Sequence, residues 1–386
     1  MSAASPLSPE PSAPAARQPV DLGVEICGIR FPNPILTAAG PPVRDGAAIL
    51  ACAAGGAGGL VTKTISRTAA RPTTPNMAEV SHGFLNAELW SELPPERWIE
   101  REYAIAREAG LPVIVSLGYT ADDVADLAPR IGPFADAVEL STHYIGEDAA
   151  PMTAAIRAAK AALDVPVLVK LSPLGREMGR AAEQAAAAGA DAIVAINSFG
   201  PCLAIDVETA MPRLGGDDGY GWLSGPALKP LAVRCIHDVA AAVEIPVIGC
   251  GGVSRGVDAV EMLMAGASAV QVCTAAILRG PSVFGRIAAE TSSWLDRHGY
   301  ARPADVVGLA LGRDSTRTAG VPLLDLDLCN GCGLCELSCV ERAIRVVDGK
   351  AVIDEAHCSR CGLCLSRCRP GALLWATLAS AERDHT

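Results

Sequence analysis

The middle of the chain alternates short apolar runs, rich in β-branched residues, with longer Ala-rich stretches. Most of the runs end in small or polar residues, and each predicts a buried strand. The eight runs are Ile35–Gly40, Gly59–Thr64, Val113–Leu117, Ala137–Ser141, Val167–Leu171, Ala192–Asn197, Val247–Gly251 and Ala269–Thr274. The stretches between them have helical periodicity and include Arg97–Ala109, Pro151–Leu163, Ala181–Ala188, Ala227–Val243 and Val257–Met264.

Eight alternating strand and helix units predict an α/β protein with a closed (β/α)8 TIM barrel. A doubly wound open sheet is the alternative, but it usually has fewer strands and a dinucleotide-binding loop. Gly55–Gly59 does not supply that loop, because it precedes a strand, and it is more typical of a helix end. Val20–Pro34 alternates with a Gly at each bend, which predicts a hairpin over the bottom of the barrel.

Length and composition fit one large domain and one small one. The chain has 386 residues, 50% of them hydrophobic and 4% aromatic, so Ala, Val, Ile and Leu must build the core. The net charge of −11 and the lack of a basic stripe argue against a nucleic-acid partner. No apolar run reaches the roughly 20 residues of a membrane span, and no signal peptide is recognisable, so we expect a cytoplasmic protein.

Eight of the fourteen cysteines fall in two copies of the pattern C-x2-C-x2-C-x3-C. This is the spacing of bacterial ferredoxins with two [4Fe–4S] clusters, in which the fourth Cys of each run ligates the other cluster. Zinc does not need this repeat, and disulfides suit secreted proteins, so both alternatives are disfavoured. The predicted ligand sets are Cys329, Cys332, Cys335 and Cys368 for one cluster, and Cys358, Cys361, Cys364 and Cys339 for the other.

The predicted domains follow from these patterns. We expect a disordered tail over residues 1–19, an FMN-binding barrel over 20–300, a linker over 301–322, a ferredoxin-like domain over 323–378 and a second tail over 379–386. The flavin is expected because clusters exchange single electrons, whereas closed-shell organic molecules usually exchange two, and a flavin handles both. Barrels bind flavin phosphate at the loops after strands seven and eight, here Gly249–Gly252 and Cys273–Thr274.

Polar residues gather at the expected C-terminal ends of the strands, where barrel active sites lie. Lys63, Lys170, Asn197 and Thr274 end strands two, five, six and eight. The fourth strand runs into Ser-Thr-His-Tyr at positions 141–144, which offers several groups able to exchange protons. The sequence therefore predicts an active site at this end of the barrel.

The chain from about residue 20 to about residue 375 resembles a known group of flavoproteins. The barrel resembles class 1 dihydroorotate dehydrogenases, and with the cysteine runs the chain is similar to the FMN and iron–sulfur half of dihydropyrimidine dehydrogenase, or its separate bacterial subunit. The stretches that carry the resemblance are Ala39–Gly40, Thr62–Thr64, Gly83–Trp90, Val169–Leu171, Ile196–Ser198, Leu223–Pro230, Gly249–Gly252, Gln271–Thr274 and the two cysteine runs.

The resemblance implies that FMN lies over the mouth of the barrel. Its implied contacts are Ala39, Gly40, Lys63, Lys170, Ser224, Gly225, Gly251, Gly252, Cys273 and Thr274. It also implies a small, flat, amide-rich substrate held by Asn86, Asn197 and Ser198, with a hydride exchanged between the flavin and a ring carbon. Electrons would pass to ferredoxin or to an FAD/NAD(P)H-binding subunit, and the protein would be a homodimer or a hetero-oligomer.

The fourth strand departs from the family pattern Asn-Leu-Ser-Cys-Pro. Glu139 stands at the substrate-binding Asn and Thr142 at the acid/base Cys, so proton exchange is expected from Thr142, His143 or Tyr144. An ionised carboxylate only accepts hydrogen bonds, so Glu139 is expected to bind a substrate that carries N–H groups or positive charge. The alternative is that Glu139 is a surface residue or forms a salt bridge, for instance with Lys170.

Three functions remain open from the sequence. The first is an oxidoreductase that acts on a CH–CH bond of a small N-heterocycle related to dihydropyrimidines. The second is a dihydroorotate dehydrogenase-like enzyme with a fused ferredoxin domain, although its acidic substrate would be repelled by Glu139. The third is an electron-transfer subunit without a substrate of its own, which the missing Cys suggests.

The cysteine repeats predict about eight iron atoms per chain after anaerobic purification. We expect Cys339→Ser to lower the iron content towards half, because only one predicted cluster loses a ligand. Cys202→Ser, which lies outside the repeats, is the matched control and should leave iron unchanged. Colorimetric iron and sulfide analysis measures both. About four irons in the wild-type protein would contradict the two-cluster prediction.

Overall fold

The structure, a computed structural model, describes residues 19–118, 120–141, 148–313 and 320–375. The chain divides into two compact units, with the boundary between Leu311 and Gly312. Within the described ranges, no helix is both long enough and apolar enough to cross a membrane.

The first unit is a ring of eight parallel strands. They are β1 (Ile35–Thr37), β2 (Leu60–Val61), β3 (Val113–Leu117), β4 (Ala137–Leu140), β5 (Val167–Leu171), β6 (Ala192–Ala195), β7 (Val247–Cys250) and β8 (Ala269–Val272). Each strand pairs with its neighbours in sequence, and β8 pairs with β1. A parallel bridge between Leu36 and Gly59 joins β1 to the start of β2 and closes the ring. The predicted TIM barrel is therefore confirmed.

Helices follow the strands and pack on the outside of the ring. Those of eight or more residues are Gly46–Ala54, Ala121–Ile131, Ala150–Ala162, Met178–Ala187, Lys229–Ala240, Gly256–Met264 and Val283–Arg297. Several buried residues on one face of each helix, such as Val124, Leu127 and Ile131, join the core that surrounds the strands. The core is consequently built from aliphatic residues and Ala, as the composition predicts.

The helix predicted over Arg97–Ala109 differs from the observed one. It starts at Pro95–Arg97, passes through a π-helical turn at Trp98–Glu102 and continues as Tyr103–Arg107. The buried carboxylate of Glu102 accepts hydrogen bonds from the Arg97 side chain at 2.6 Å and from the Gly46 backbone N–H at 2.8 Å. Sequence periodicity could not predict this π-helical turn, because the backbone N–H that Glu102 binds belongs to Gly46 on another helix.

A hairpin closes the bottom of the barrel, as predicted. Its strands, Val24–Ile26 and Ile29–Phe31, pair antiparallel. Ile26 and Phe31 are buried in one cluster with inward-facing residues of the ring such as Ala137, Ala192 and Ala269. Small Ala side chains in the ring leave space for these larger side chains from the hairpin.

A four-stranded antiparallel sheet, which the sequence analysis did not predict, forms from two excursions of the chain. Its strands are Met77–Val80, Gly83–Asn86, Gly221–Ser224 and Phe199–Cys202, in that spatial order. The first two strands follow β2 and the last two follow β6. These are C-terminal ends of barrel strands, so the sheet lies at the end of the barrel where an active site is expected.

The second unit contains two similar halves. Its helices Leu334–Ser338 and Leu363–Arg367 are each preceded by a Gly in the left-handed region, Gly333 with φ 73° and Gly362 with φ 78°. Two short ladders accompany them, Ile344–Val347 with Lys350–Ile353 and Leu323–Leu324 with Leu373–Leu374. Each of the two five-residue helices contains the third Cys of its run.

The Gly55–Gly59 run ends a helix, as predicted, and Gly56 explains why Gly is needed there. Gly56 has φ 94°, and a Cβ on it would lie 2.6 Å from the Gly285 Cα. We expect Gly56→Ala to destabilise the barrel by about 2 to 4 kcal/mol, since left-handed strain adds to a backbone clash.

Gly110→Ala is the matched control for this test. Gly110 has φ 65°, but a Cβ on it would meet nothing within 4 Å, so this variant carries the strain without the clash. Thermal unfolding can be monitored by the rise in fluorescence as FMN is released. It should show a larger fall in Tm for Gly56→Ala than for Gly110→Ala. Equal falls would contradict the proposed close approach.

Candidate active site

A cavity of about 340 Å³ opens at the C-terminal ends of the barrel strands and is walled on one side by the four-stranded sheet. All ten residues implied as FMN contacts line it: Ala39, Gly40, Lys63, Lys170, Ser224, Gly225, Gly251, Gly252, Cys273 and Thr274. Of the four predicted substrate-binding residues, Asn86, Asn197 and Ser198 also line the cavity, whereas Glu139 does not.

One part of the wall exposes backbone amides in the way a phosphate requires. Gly225, Gly251 and Gly252 all have positive φ, at 82°, 125° and 82°. A Cβ on Gly252 would meet the Lys229 Cβ at 2.7 Å and the Gly225 carbonyl oxygen at 2.9 Å, so only Gly fits. The hydroxyls of Ser224 and Thr274 lie beside these glycines, 2.8 Å from each other. This donor set fits the phosphate of FMN.

Lys63 pairs with a carboxylate that was not predicted from the sequence. Its Nζ donates to the Glu88 Oε2 at 2.5 Å, and the Asn76 Nδ2 donates to the Glu88 Oε1 at 2.6 Å. Lys63 and Glu88 are largely buried, with side chains 3% and 12% exposed, and both line the cavity. Glu88 could have been found from the sequence, because it lies two residues after Asn86 within Gly83–Trp90, a stretch that carries the family resemblance.

Lys170 belongs to a second charged group, which lies in the interior of the barrel. Its Nζ donates to the Gln271 Oε1 at 2.8 Å and lies 3.6 Å from the Glu139 Oε1. The Gln271 Nε2 in turn donates to the Glu139 Oε2 at 2.5 Å. Glu139 is 0% exposed, so the expectation that it contacts a substrate is corrected: the alternative, an ion pair with Lys170, is what the structure contains.

The physical reason for this correction is strand alternation. Glu139 shares its inward direction in β4 with Ala137, which belongs to the barrel interior, while Val138 and Leu140 belong to the outer core. Lys170 and Gln271 occupy the corresponding inward positions of β5 and β8 and reach the cavity lining, whereas Glu139 is fully buried and contacts both of them. Gln271 in β8 faces the same interior, lines the cavity and was also not predicted as a site residue.

The ionisation of the interior groups follows from burial and neighbours. Burial on its own would lower the pKa of Lys170, but Cys250, Glu139 and Cys273 act in the opposite direction and the net effect raises this pKa. Burial raises the pKa of Cys250, and burial together with the nearby Cys250 raises the pKa of Cys273 to about 12. Both thiols are therefore protonated near neutral pH, and Lys170 keeps its charge.

The two cavity asparagines are held by local hydrogen bonds. The Asn86 Nδ2 donates to the Trp222 carbonyl oxygen at 3.1 Å, and its Oδ1 accepts from the Glu88 backbone N–H at 3.3 Å. The Asn197 Oδ1 accepts from the Ser198 backbone N–H at 2.8 Å, which leaves the Asn197 amide N–H groups as its donors to a ligand.

The three predicted proton-exchanging residues, Thr142, His143 and Tyr144, lie outside the described residues. Ser141, which precedes them, lines the cavity. Their roles therefore remain predictions.

In the second unit, Cys329, Cys332, Cys335 and Cys368 together line a small cavity. These are the four residues that the spacing assigns to one cluster, with the fourth contributed by the other run. The described residues contain no group of three or more His, Cys, Asp or Glu side chains arranged for a single metal ion. Cys335 and Cys364 are buried in the same core, and Cys339 and Cys368 pack against it. The donor set fits iron–sulfur clusters.

The barrel, the cavity at its C-terminal end and the cysteine repeats define the class of protein: a flavoprotein oxidoreductase with an iron–sulfur domain. Comparison with known protein families supports both parts. Residues 21–295 match the family described as dihydroorotate dehydrogenase, and residues 322–369 match that of the 4Fe-4S dicluster domain. The chain belongs to the dihydroorotate dehydrogenase family, whose members are oxidoreductases that act on CH–CH bonds, and family membership implies FMN.

Curated relatives of the barrel are archaeal and bacterial. Dihydroorotate dehydrogenase B (NAD(+)), catalytic subunit, of Pyrococcus abyssi is 38% identical over 305 residues, which cover 75% of this chain and 99% of the relative. The proteins with the same description from Methanosarcina mazei and Geobacter sulfurreducens are 39% and 36% identical, covering 77% and 75% of this chain and 98% of each relative. The relatives are thus matched almost whole, while about a quarter of this chain lies outside each match.

We expect Thr274→Val to weaken FMN binding by about tenfold, since a hydrogen bond to a charged phosphate is lost. Thr291→Val is the matched control: Thr291 is also buried, and its hydroxyl donates to the Ile287 carbonyl oxygen at 2.8 Å inside a helix. Fluorescence titration of FMN into the flavin-free protein gives both dissociation constants. Equal affinities in the two variants would contradict the assignment of the phosphate site.

Proposed function

We propose that this chain is an FMN-dependent oxidoreductase that interconverts a CH–CH bond and a C=C bond in a small, uncharged, N-heterocyclic ring, similar to a dihydropyrimidine. Electrons are exchanged through two [4Fe–4S] clusters in its C-terminal domain. The proposal combines family membership with the charges of the cavity, and it gives this chain a substrate of the dihydropyrimidine dehydrogenase type.

The observation that carries the substrate class is the pairing of both cavity lysines. Within the described lining, Lys63 and Lys170 are the cations, and each lies against a carboxylate, Glu88 at 2.5 Å and Glu139 at 3.6 Å. A substrate with a carboxylate, such as dihydroorotate, would need an uncompensated cation and would also approach Glu88. A neutral ring needs no free cation and is not repelled by the carboxylate of Glu88.

The polar groups of the cavity suit a ring that contains both carbonyl and N–H groups. The amide N–H groups of Asn197 donate to a ring carbonyl, and the carboxylate of Glu88 accepts from a ring N–H. Each carboxylate oxygen has more than one acceptor position, so Glu88 accepts this bond while it also binds Lys63 and Asn76. FMN, when bound, supplies the two-electron chemistry at the ring carbon, and Thr142, His143 or Tyr144 exchanges the accompanying proton.

The domain organisation supports an electron path within this chain. The relatives are described as catalytic subunits, which names them as parts of larger assemblies, and the barrel match covers nearly all of their length. This chain carries in addition the 4Fe-4S dicluster domain at residues 322–369. We therefore propose that its clusters connect FMN with a ferredoxin or with an FAD/NAD(P)H-binding subunit.

A second candidate function is dihydroorotate oxidation. The 38% identity to a dihydroorotate dehydrogenase catalytic subunit over 99% of that relative favours it. The third, an electron-transfer subunit without its own substrate, is less well supported, because Asn86, Asn197, Ser198 and Glu88 still line a cavity large enough for a ligand.

The three candidates separate in an anaerobic stopped-flow experiment. Enzyme with reduced FMN is mixed with uracil, thymine, related neutral rings and orotate, and flavin reoxidation is followed. We expect the neutral rings to reoxidise FMN and orotate to be slow. Faster reoxidation by orotate would establish the second candidate. If no ring reoxidises FMN but electrons pass rapidly to ferredoxin, the third candidate would be established.

Glu88→Gln tests the charge argument directly. Removal of the carboxylate leaves Lys63 uncompensated, so orotate should bind on the order of tenfold more tightly, while the neutral rings bind more weakly. Glu79→Gln is the matched control, since Glu79 lies on the adjacent strand of the same sheet, is exposed and does not line the cavity. Unchanged selectivity in Glu88→Gln would contradict the assignment.

A further inference from the structure

Glu139 is a buried carboxylate for which the proposed reaction has no direct use. It is 0% exposed and does not line the cavity. Its Oε2 accepts from the Gln271 Nε2 at 2.5 Å, while its Oε1 lies 3.6 Å from the Lys170 Nζ and accepts no hydrogen bond from the described residues. A third contact, from the Lys170 Nζ to the Gln271 Oε1 at 2.8 Å, closes a triangle of three side chains from three strands.

A carboxylate in the interior of a barrel is costly. An isolated buried charge loses its hydration, and the loss is offset only by a partner of opposite charge and by hydrogen bonds. Ala137, Leu168 and Ile248 are apolar inward residues of the same ring, so the carboxylate of Glu139 depends on Gln271 and Lys170 for polar contacts. The placement of Glu139 therefore suggests that it controls the charge and position of its partner, Lys170, which does line the cavity.

We propose that Glu139 is a positioning residue that keeps the Lys170 ammonium charged and fixed at the cavity floor, with Gln271 as the bridge that orients both. Glu139 acts through Lys170 and touches neither cofactor nor substrate. The inference does not depend on which ring the enzyme takes, because it concerns only the charge that the floor presents to a ligand.

The other groups around Lys170 do not supply the negative charge that keeps it protonated. Among the described residues, the titratable groups that act on it besides Glu139 are Cys250 on β7 and Cys273 after β8. Burial raises the pKa of both thiols, so they are neutral where the enzyme works. Lys63, which acts on Cys273, is itself paired with Glu88. Glu139 is therefore the anion that offsets the burial of Lys170.

Burial and the carboxylate of Glu139 shift the pKa of Lys170 in opposite directions. Burial favours the neutral amine and lowers the pKa of a lysine, whereas a carboxylate at contact range favours the ammonium and raises it. Glu139 acts in this upward direction on the pKa of Lys170, from a distance of 3.6 Å. Without the carboxylate, burial is no longer offset, and Lys170 loses its proton at a lower pH.

The chain offers a direct measurement, because it has only five lysines: Lys63, Lys160, Lys170, Lys229 and Lys350. The full-length holoprotein, labelled with an NMR-active isotope at lysine Cε, gives a resonance for each, and Lys170→Arg assigns the one of interest. In the wild type we expect Lys170 to titrate above the ordinary lysine range. In Glu139→Gln its titration should move down by more than about one pH unit.

Two variants separate the charge from the packing. Glu102→Gln makes the same change at another buried carboxylate, one that pairs with Arg97, and should leave the Lys170 titration in place. Glu139→Asp keeps the charge but retracts it, so it should give an intermediate titration and restore most of the wild-type behaviour. It also serves if Glu139→Gln does not fold, since a downward shift in Glu139→Asp alone still reports the coupling.

An unchanged Lys170 titration in both Glu139 variants would overturn the proposal, as would an equal shift in Glu102→Gln. This outcome is independent of the proposed function, because the resonance is read without turnover. Conversely, failure of every neutral ring to reoxidise FMN would remove the proposed substrate class and leave the coupling between Glu139 and Lys170 intact.

Discussion

The closure of eight parallel strands into a ring is the constraint on which the rest of the barrel depends. Closure brings all C-terminal strand ends to one rim, and it leaves each inward side chain with no solvent to face. At the rim, residues that are far apart in sequence, such as Lys63 and Thr274, line one cavity. One layer below, the same geometry buries Glu139 and forces it to find its partners inside the ring.

These two layers give the cavity its chemical character. The glycines and hydroxyls that follow β6, β7 and β8 offer hydrogen-bond donors without a side-chain charge, which suits the phosphate of a cofactor. The lysines offer charge, but each is matched by a carboxylate from a different element. The site is therefore rich in directed hydrogen bonds and close to neutral in its described lining, a combination that favours recognition of amide-like groups.

Much of this organisation was predictable from the sequence. All eight strand positions, the bottom hairpin and the helix end at Gly55–Gly59 are read from local patterns, since each depends on residues that are neighbours in the chain. The four-stranded sheet was not predicted, because its pairing joins Gly83–Asn86 to Gly221–Ser224 across more than a hundred residues. Glu139 was misjudged for a related reason: a motif gives its position in the chain, but its partners Lys170 and Gln271 lie on two other strands.

The compensated lysines have a consequence for how a ligand arrives. A charge paired at contact range projects only a short-ranged field, so the cavity offers little long-range attraction to an approaching ion. The chain as a whole has a net charge of −11, which adds a mild repulsion for anions. Encounter with a neutral molecule is then governed by diffusion alone and changes little with ionic strength.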